Sequence, residues 1–153
     1  MPDQAVEVLL VEDNSEDAEM TLHVLKKYNL TNQIKVVRDG AEALEFLLGG
    51  DGDDPSPPSL PKVVLLDLKL PKVNGIEVLE RIRADPRSRT LPVVVLTSSR
   101  EDCDLNRCYG LGVNSYIVKP VDFNQFTEAV RQLGLYWLLL NEMPHAAVQT
   151  RDN

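Results

Sequence analysis

Short aliphatic runs alternate along the chain with longer stretches in which apolar residues recur every three or four positions. Five short, mostly apolar runs are predicted as strands: Val6–Val11, Ile34–Val37, Val63–Leu66, Val93–Leu96 and Ser115–Val118. The stretches after them are predicted as amphipathic helices, with apolar positions at Ala18, Leu22 and Leu25; Ala43, Leu44, Leu47 and Leu48; Ile76, Leu79 and Ile82; Leu105, Cys108 and Tyr109; and Phe123, Phe126, Val130 and Leu133. Strands that lack polar alternation are buried on both faces, which requires helices on both sides of a parallel sheet. The pattern therefore predicts an α/β protein with a doubly wound sheet of five parallel strands.

The length and charge of the chain narrow its class. At 153 residues, it is predicted to form a single domain. Its net charge of −8 argues against direct nucleic-acid binding, because phosphates repel an acidic surface. No apolar run reaches the roughly 20 residues that cross a membrane, and the first residues show no secretory signal. We therefore expect a cytoplasmic protein that does not bind a membrane.

Residues 49–61 interrupt the alternation of strands and helices. The segment is rich in glycine, proline and aspartate, and the alternation resumes at Val63. It is therefore predicted to be a surface loop rather than a domain boundary. A calcium loop beginning at Asp51 would need glycine at its sixth position and glutamate at its twelfth, but these positions hold Ser56 and Lys62. Calcium binding in this loop is not predicted.

Chemically active side chains follow four of the predicted strands. Carboxylates, hydroxyls and one ammonium group stand at the strand ends: Glu12, Asp13, Asp67, Thr97, Ser98 and Lys119. In open parallel sheets, ligands bind at the carboxyl ends of the strands. Three neighbouring carboxylates repel one another unless a cation lies between them, and Mg²⁺ prefers oxygen ligands. An aspartate can also accept a phosphoryl group as an acyl phosphate, whose charge the cation and the lysine would neutralise.

Four sequence segments together resemble the receiver domain of two-component response regulators: Leu10–Asn14, Leu66–Gly75, Val95–Ser99 and Ser115–Pro120. They occur in the family's order, and the resemblance covers about residues 6–133. It implies a flavodoxin-like (βα)5 fold and Mg²⁺ as the cofactor. It also implies a signalling protein that catalyses its own phosphorylation and dephosphorylation, rather than an enzyme that acts on a diffusible substrate.

The resemblance assigns the acceptor and the metal ligands. Asp67 would take a phosphoryl group from a phosphohistidine of a sensor histidine kinase. Asp13 would bind Mg²⁺ directly, and Glu12 would act mainly through water bound to the metal. Asp67 and the backbone carbonyl of Lys69 would complete the protein's share of the coordination.

The resemblance also implies a conformational switch. Thr97 would hydrogen-bond the new phosphoryl group, and Lys119 would form an ion pair with it. Tyr116 would move inward at the same time. The peptide bond between Lys119 and Pro120 is expected to be cis.

Partners are implied in the same way. The loop at 49–61 and the segment Leu133–Glu142 resemble single-domain response regulators that work with phytochrome-type kinases. The resemblance places kinase docking around Asn14, Ser15 and Met20 and at residues 120–123. The chain shows no DNA-recognition motif after residue 133, so its output is expected to be contact with a further, unidentified protein.

The end of the chain holds more apolar residues than one packed helix face needs. The residues left over are Leu135, Tyr136, Trp137, Leu138 and Leu139. We expect them to form a homodimer interface, although a tail folded over its own core would also bury them. The predicted organisation is thus one receiver domain over 1–153, with a core at about 6–133, a helical extension at 134–143 and a flexible tail at 144–153.

Other interpretations of the strand-end residues remain open at this point. Each residue alone could cap a helix or lie in solvent. A magnesium-dependent phosphatase with an aspartyl nucleophile would want a second acid two residues later, where this chain has Lys69. A flavodoxin-like cofactor binder would want glycines and hydroxyls after the first strand, where Glu12 and Asp13 would repel a phosphate.

Overall fold

The computed structural model describes residues 6–27, 33–49, 60–98, 105–113 and 115–132. Strands and helices alternate within these residues in the order β1 (Val8–Val11), α1 (Ser15–Lys27), β2 (Ile34–Val37), α2 (Gly40–Leu48), β3 (Val63–Asp67), α3 (Gly75–Ala84), β4 (Val93–Thr97), α4 (Leu105–Gly110), β5 (Ser115–Val118) and α5 (Phe123–Gln132). The predicted α/β alternation is confirmed. The first strand begins at Val8 rather than Val6, because its partners in the sheet, Ile34 and Val63, are the first residues of β2 and β3.

All five strands are parallel and lie in the order β2-β1-β3-β4-β5. This is the flavodoxin-like order, in which the strand order reverses between β1 and β3. Helices leave these two strands towards opposite faces of the sheet, so a crevice opens at their carboxyl ends. The register places Val11 beside Leu66 and Thr97 beside Val118. The residues that follow these positions therefore meet at one edge of the sheet.

The central strands are buried on both faces. Alternate residues of β1 and β3, such as Leu9 and Leu66, pack in one core beneath α2 and α3. The residues between them, such as Leu10 and Leu65, pack in a second core with α1 and α5, which contributes Phe126. The two edge strands are less buried: β2 is fully buried only at Val37, and β5 alternates between buried and half-buried residues. This arrangement explains why the central strands are aliphatic throughout.

Two glycines allow the loop after β3 to pack closely. A Cβ atom on Gly75 would overlap the backbone carbonyl oxygen of Asp67, and the Gly75 amide donates to the Leu68 carbonyl over 2.9 Å. A Cβ atom on Gly40, at the start of α2, would overlap the carbonyl oxygen of Val73. Both contacts are possible only without a side chain. They fix the loop that joins Asp67 to α3.

Some predicted segments lie outside the described residues. These are most of the loop at 49–61, the apolar residues Leu135, Tyr136, Trp137, Leu138 and Leu139, and the tail at 144–153. Within the described residues, no helix is long and apolar enough to cross a membrane.

Candidate functional site

The carboxyl edge of the sheet brings together the acidic residues that the sequence analysis singled out. Glu12, Asp13 and Asp67 each offer a carboxylate oxygen, and these oxygens lie within 4.8 Å of one another. They line a cavity of about 250 Å³ together with Lys69 and Lys119. The predicted convergence at the strand ends is therefore confirmed for these side chains.

The three carboxylates differ in their surroundings. Glu12 is completely buried, and one of its oxygens accepts a hydrogen bond from the Asn14 amide over 3.2 Å. Asp67 is almost completely buried, and its Oδ1 accepts from the Lys69 amide over 3.2 Å. Asp13 is exposed. The site therefore has two oriented acids at its base and one acid at its mouth.

Lys119 places its ammonium group among the acids. Its Nζ lies 3.0 and 3.1 Å from the two carboxylate oxygens of Glu12, 3.0 Å from Asp17 Oδ2 and 3.3 Å from Asp67 Oδ2. The sequence analysis did not identify Asp17 as a partner of this lysine. Asp17 lies in the first turn of α1, and the side chain of Asn14 caps that turn by accepting from the Asp17 amide.

Burial and charge both act on the titration of this site. Burial raises the pKa of Glu12 to about 7, against the hydrogen bond from Lys119, which lowers it; the neighbouring Asp67 raises it further. Burial alone would lower the pKa of Lys119, but its hydrogen bonds to Glu12 and Asp17 outweigh this effect and hold the pKa above its ordinary value. Lys119 is thus a permanent cation near neutral pH, whereas Glu12 changes charge there.

The donor set fits a hard divalent cation. Carboxylate oxygens are the ligands that Mg²⁺ and Mn²⁺ prefer, and a cation of this kind retains water in the remaining positions. Glu12, Asp13 and Asp67 could hold it, and Lys69 borders the same cavity. The ammonium group of Lys119 offsets only part of the repulsion between the neighbouring carboxylates, and a bound divalent cation would reduce the rest.

Other predicted residues lie on the strands beside this cavity. Thr97 ends β4, and its side chain lies outside the described residues. Tyr116 is half-buried on β5 and meets the ring of Tyr109 edge-on, with 6.2 Å between the ring centroids. The peptide bond between Lys119 and Pro120 is cis, as expected.

Gln125 supports the segment that carries Lys119. Its side-chain oxygen accepts from the Val118 amide over 3.1 Å, and its side-chain nitrogen donates to the carbonyls of Val118 and Pro120. A polar residue in a helical pattern gives no sign of such a role, so the sequence analysis did not identify it. These bonds fix the backbone on both sides of Lys119.

Comparison with known proteins identifies the family to which this site belongs. Residues 8–131 match the response regulator receiver domain. The chain belongs to the receiver-domain family. It is 44% identical over 140 residues to the probable methanogenesis regulatory protein FilR2 of Methanothrix harundinacea, covering 92% of this chain and 88% of the relative. This membership favours the receiver interpretation over a phosphatase or a flavodoxin-like cofactor binder.

Solved structures of other receivers support the same assignment. The bacteriophytochrome response regulator AtBRR is 52% identical, with a TM-score of 0.79 over 92% of this chain and 100% of that protein. The Mn²⁺-bound form of response regulator Rcp1 is 35% identical, with a TM-score of 0.68 over 92% of this chain and 99% of that one. The phosphorylated cyanobacterial phytochrome response regulator RcpA is 36% identical, with a TM-score of 0.67 over 88% of this chain and 95% of that one.

The raised pKa of Glu12 predicts that divalent-cation binding depends on pH. Because the cation favours the ionised carboxylate, its affinity should fall below about pH 7, by up to about tenfold per pH unit. Titration calorimetry with Mg²⁺ or Mn²⁺ between pH 6 and 8 measures this effect. Glu12→Gln should bind the cation more weakly and lose most of the pH dependence. An affinity of the parent receiver that is constant over this range would contradict the prediction.

The same group affects stability in the opposite direction. Since the folded state of the cation-free receiver holds the Glu12 proton more tightly than the unfolded chain does, this group's contribution to stability falls as the pH rises from 4.5 to about 7. Bound cation should offset that loss, because it stabilises the ionised form. The stabilisation of the receiver by saturating cation should therefore be larger at pH 8 than at pH 6.

Proposed function

We propose that the receiver accepts a phosphoryl group on the carboxylate of Asp67 from a phosphohistidine of a sensor histidine kinase, with Mg²⁺ as the cation. The observation that carries this proposal is the position of Asp67. Its carboxylate belongs to the acidic cluster with Glu12 and Asp13 and lies 3.3 Å from Lys119 Nζ. An acceptor in this position has positive charge available on two sides when the cation is bound.

The reaction moves one phosphoryl group between two protein side chains. A carboxylate oxygen of Asp67 forms the new bond to phosphorus, and the phosphorus–nitrogen bond of the phosphohistidine breaks, leaving its electron pair on the imidazole. Bound Mg²⁺ would supply charge neutralisation to the phosphoryl oxygens. The hydrogen bond from the Lys69 amide orients the Asp67 carboxylate, and Lys119 provides a second cation at the same oxygens. Attack by water on the phosphorus of the acyl phosphate would break its bond to the Asp67 oxygen, release inorganic phosphate and return the Asp67 carboxylate to its starting state.

Replacement of the acceptor tests this proposal. With a small-molecule phosphodonor and Mg²⁺, the parent receiver should form an acid-stable, base-labile adduct, and Asp67→Asn should lose it completely. Asp85→Asn is the matched control, because Asp85 follows the far end of α3 and pairs with Arg87. Mass spectrometry of the intact proteins measures the adduct. Equal labelling of Asp67→Asn and the parent would rule out Asp67 as the acceptor.

We further propose that phosphorylation switches the surface formed by α4 and β5. Thr97 ends β4 beside Val118, one residue before Lys119, so a group bound at Asp67 would lie near both strand ends. Tyr116 lies two residues earlier on β5, opposite Val95 of β4, and contacts Tyr109 of α4. A shift of Thr97 and Tyr116 towards the site would therefore change the packing of α4. Phosphorylation would act by favouring one of two conformations.

The kinase is proposed to dock on the surface formed by α1 and the segment after β5. Met20, His23 and Val24 of α1 line a cavity of about 480 Å³ with Val121. Asn14 and Ser15, which precede this surface, are exposed beside the acidic site. A kinase helix in this position could bring its phosphohistidine to Asp67. The similarity to AtBRR and RcpA supports a kinase of the phytochrome type.

A charged residue in place of Met20 should impair docking of the kinase without affecting the phosphoryl-transfer reaction at Asp67. Met20→Asp should slow phosphoryl transfer from the cognate kinase by at least about tenfold, since a buried unpaired charge costs more than 1.4 kcal/mol. Labelling by a small phosphodonor should not change. Tyr109→Asp is the matched control, because Met20 and Tyr109 are 46% and 47% exposed and lie on different helices. If Tyr109→Asp slows kinase transfer and Met20→Asp does not, the docking surface is α4 instead.

We also propose a homodimer formed by Leu135, Tyr136, Trp137, Leu138 and Leu139. This proposal is supported by the apolar sequence of the segment, which lies outside the described residues. Trp137→Glu should convert a dimer to a monomer in light scattering over a dilution series, while Asp67 still accepts phosphate from a small donor. A monomer mass for the parent at all concentrations, with and without phosphorylation, would contradict it.

We propose that the phosphorylated receiver passes on its signal by contact with a further protein. The net charge of −8 disfavours direct binding to nucleic acid. We propose a cytoplasmic location, where the ATP that supplies sensor kinases is present.

A further inference from the structure

Asp17 forms an ion pair with Lys119 that neither phosphoryl transfer to Asp67 nor cation binding by the acidic cluster explains. Its Oδ2 lies 3.0 Å from Lys119 Nζ, as close as the nearer oxygen of Glu12. Its backbone is fixed in the first turn of α1: the amide donates to Asn14 Oδ1, and the carbonyl accepts from the buried hydroxyl of Thr21. The Asp17 carboxylate is thus presented to Lys119 by a fixed helix turn.

The hydrogen-bonding capacity of the ammonium group matches its partners. A lysine ammonium has three N–H donors, and here it contacts three carboxylates: Glu12, Asp17 and Asp67. Glu12 and Asp67 also belong to the cluster that suits a divalent cation, whereas Asp17 does not belong to that cluster as described. A cation bound there would attract two of the three carboxylates and repel the ammonium group. Asp17 would then remain as the partner of Lys119 outside the cation's ligands.

We infer that Asp17 is a positioning residue, which holds Lys119 Nζ beside the acceptor while the cation and the phosphoryl group engage Glu12 and Asp67. The inference rests on the proposed phosphoryl transfer to Asp67. Lysine has a flexible four-carbon stem, and the Lys119 side chain is 15% exposed, so solvent is within its reach. Without Asp17, the ammonium group would spend less time where phosphoryl oxygens develop. Asp17 lines the same cavity but does not belong to the acidic cluster of Glu12, Asp13 and Asp67, so in this role it would act through Lys119 rather than on the cation or the reacting atoms.

The first test compares two neighbouring charge changes on the same helix turn. Asp17→Asn keeps the size of the side chain but removes its charge. Glu16→Gln makes the same charge change at the preceding residue, which is exposed. With saturating Mg²⁺ and a small phosphodonor, Asp17→Asn should reduce the rate of Asp67 labelling by roughly fivefold, the effect of losing a partly exposed ion pair. Glu16→Gln should keep the parent rate.

The second test observes Lys119 directly and does not depend on phosphorylation. An amine-acylating reagent labels lysines according to their accessibility and to the fraction of neutral amine, both of which contact with Asp17 would lower at Lys119, and peptide mass spectrometry gives the rate at each lysine. Lys119 should be acylated several-fold faster in Asp17→Asn than in the parent, with the larger increase when Mg²⁺ is bound. Lys62, which pairs with Glu7, serves as the internal reference. Glu16→Gln should leave the rate at Lys119 unchanged.

A double variant separates positioning from a general effect on the fold. In a Lys119→Gln background, Asp17→Asn should cause no further loss of labelling at Asp67. The inference is overturned if Asp17→Asn slows labelling as much in that background, or if Lys119 acylation in Asp17→Asn matches the parent. It is also overturned if Asp17→Asn weakens Mg²⁺ binding more than Glu16→Gln does, since Asp17 would then belong to the metal site. Failure of the parent to be labelled at Asp67 would instead contradict the proposed function, and the acylation test would still decide the role of Asp17.

Discussion

Burial of several negative charges at one edge of the sheet is the constraint on which the rest of this site depends. Glu12 is wholly buried and Asp67 almost so, and two carboxylates this close in a medium of low dielectric repel each other strongly. Lys119 reduces that repulsion by contacting both. The Lys119 side chain is largely removed from solvent, so its N–H donors need partners, and the third contact, with Asp17, supplies the last of them. The acids and the lysine therefore stabilise one another's charged forms.

The parallel sheet is what makes this cluster of charges possible. The central strands have aliphatic residues on both faces, so helices cover both sides and polar groups can gather only at the strand ends. Reversal of the strand order between β1 and β3 leaves the helices diverging there, which opens the cavity that the acids line. Gly40 and Gly75 then allow the loop after Asp67 to lie against its neighbours. Aliphatic packing thus fixes where the reactive edge can be.

Whether the sequence could predict the place of a site residue depends on what determines the position of that residue in the fold. Glu12, Asp13, Asp67 and Lys119 lie at or just after the ends of apolar strands, and strand ends in a parallel sheet converge, so the pattern alone locates them. Asp17 is different, because its contact with Lys119 depends on the angle at which α1 leaves β1 and on the reach of a long side chain. The helical pattern determines neither, so this contact became visible only in the structure.

The strand that carries Lys119 also connects the site to the surface. Gln125 of α5 holds the backbone at Val118 and Pro120, so the start of α5, the end of β5 and the lysine form one hydrogen-bonded unit. Tyr116 lies on the same strand and contacts Tyr109 of α4, which is 47% exposed. Packed elements of this kind shift between discrete arrangements rather than deforming continuously. In the proposed switch, a change in the partners of Lys119 would therefore reach the packing of α4 and α5 through β5 and the segment after it, and the two helices would need no separate link to the acceptor.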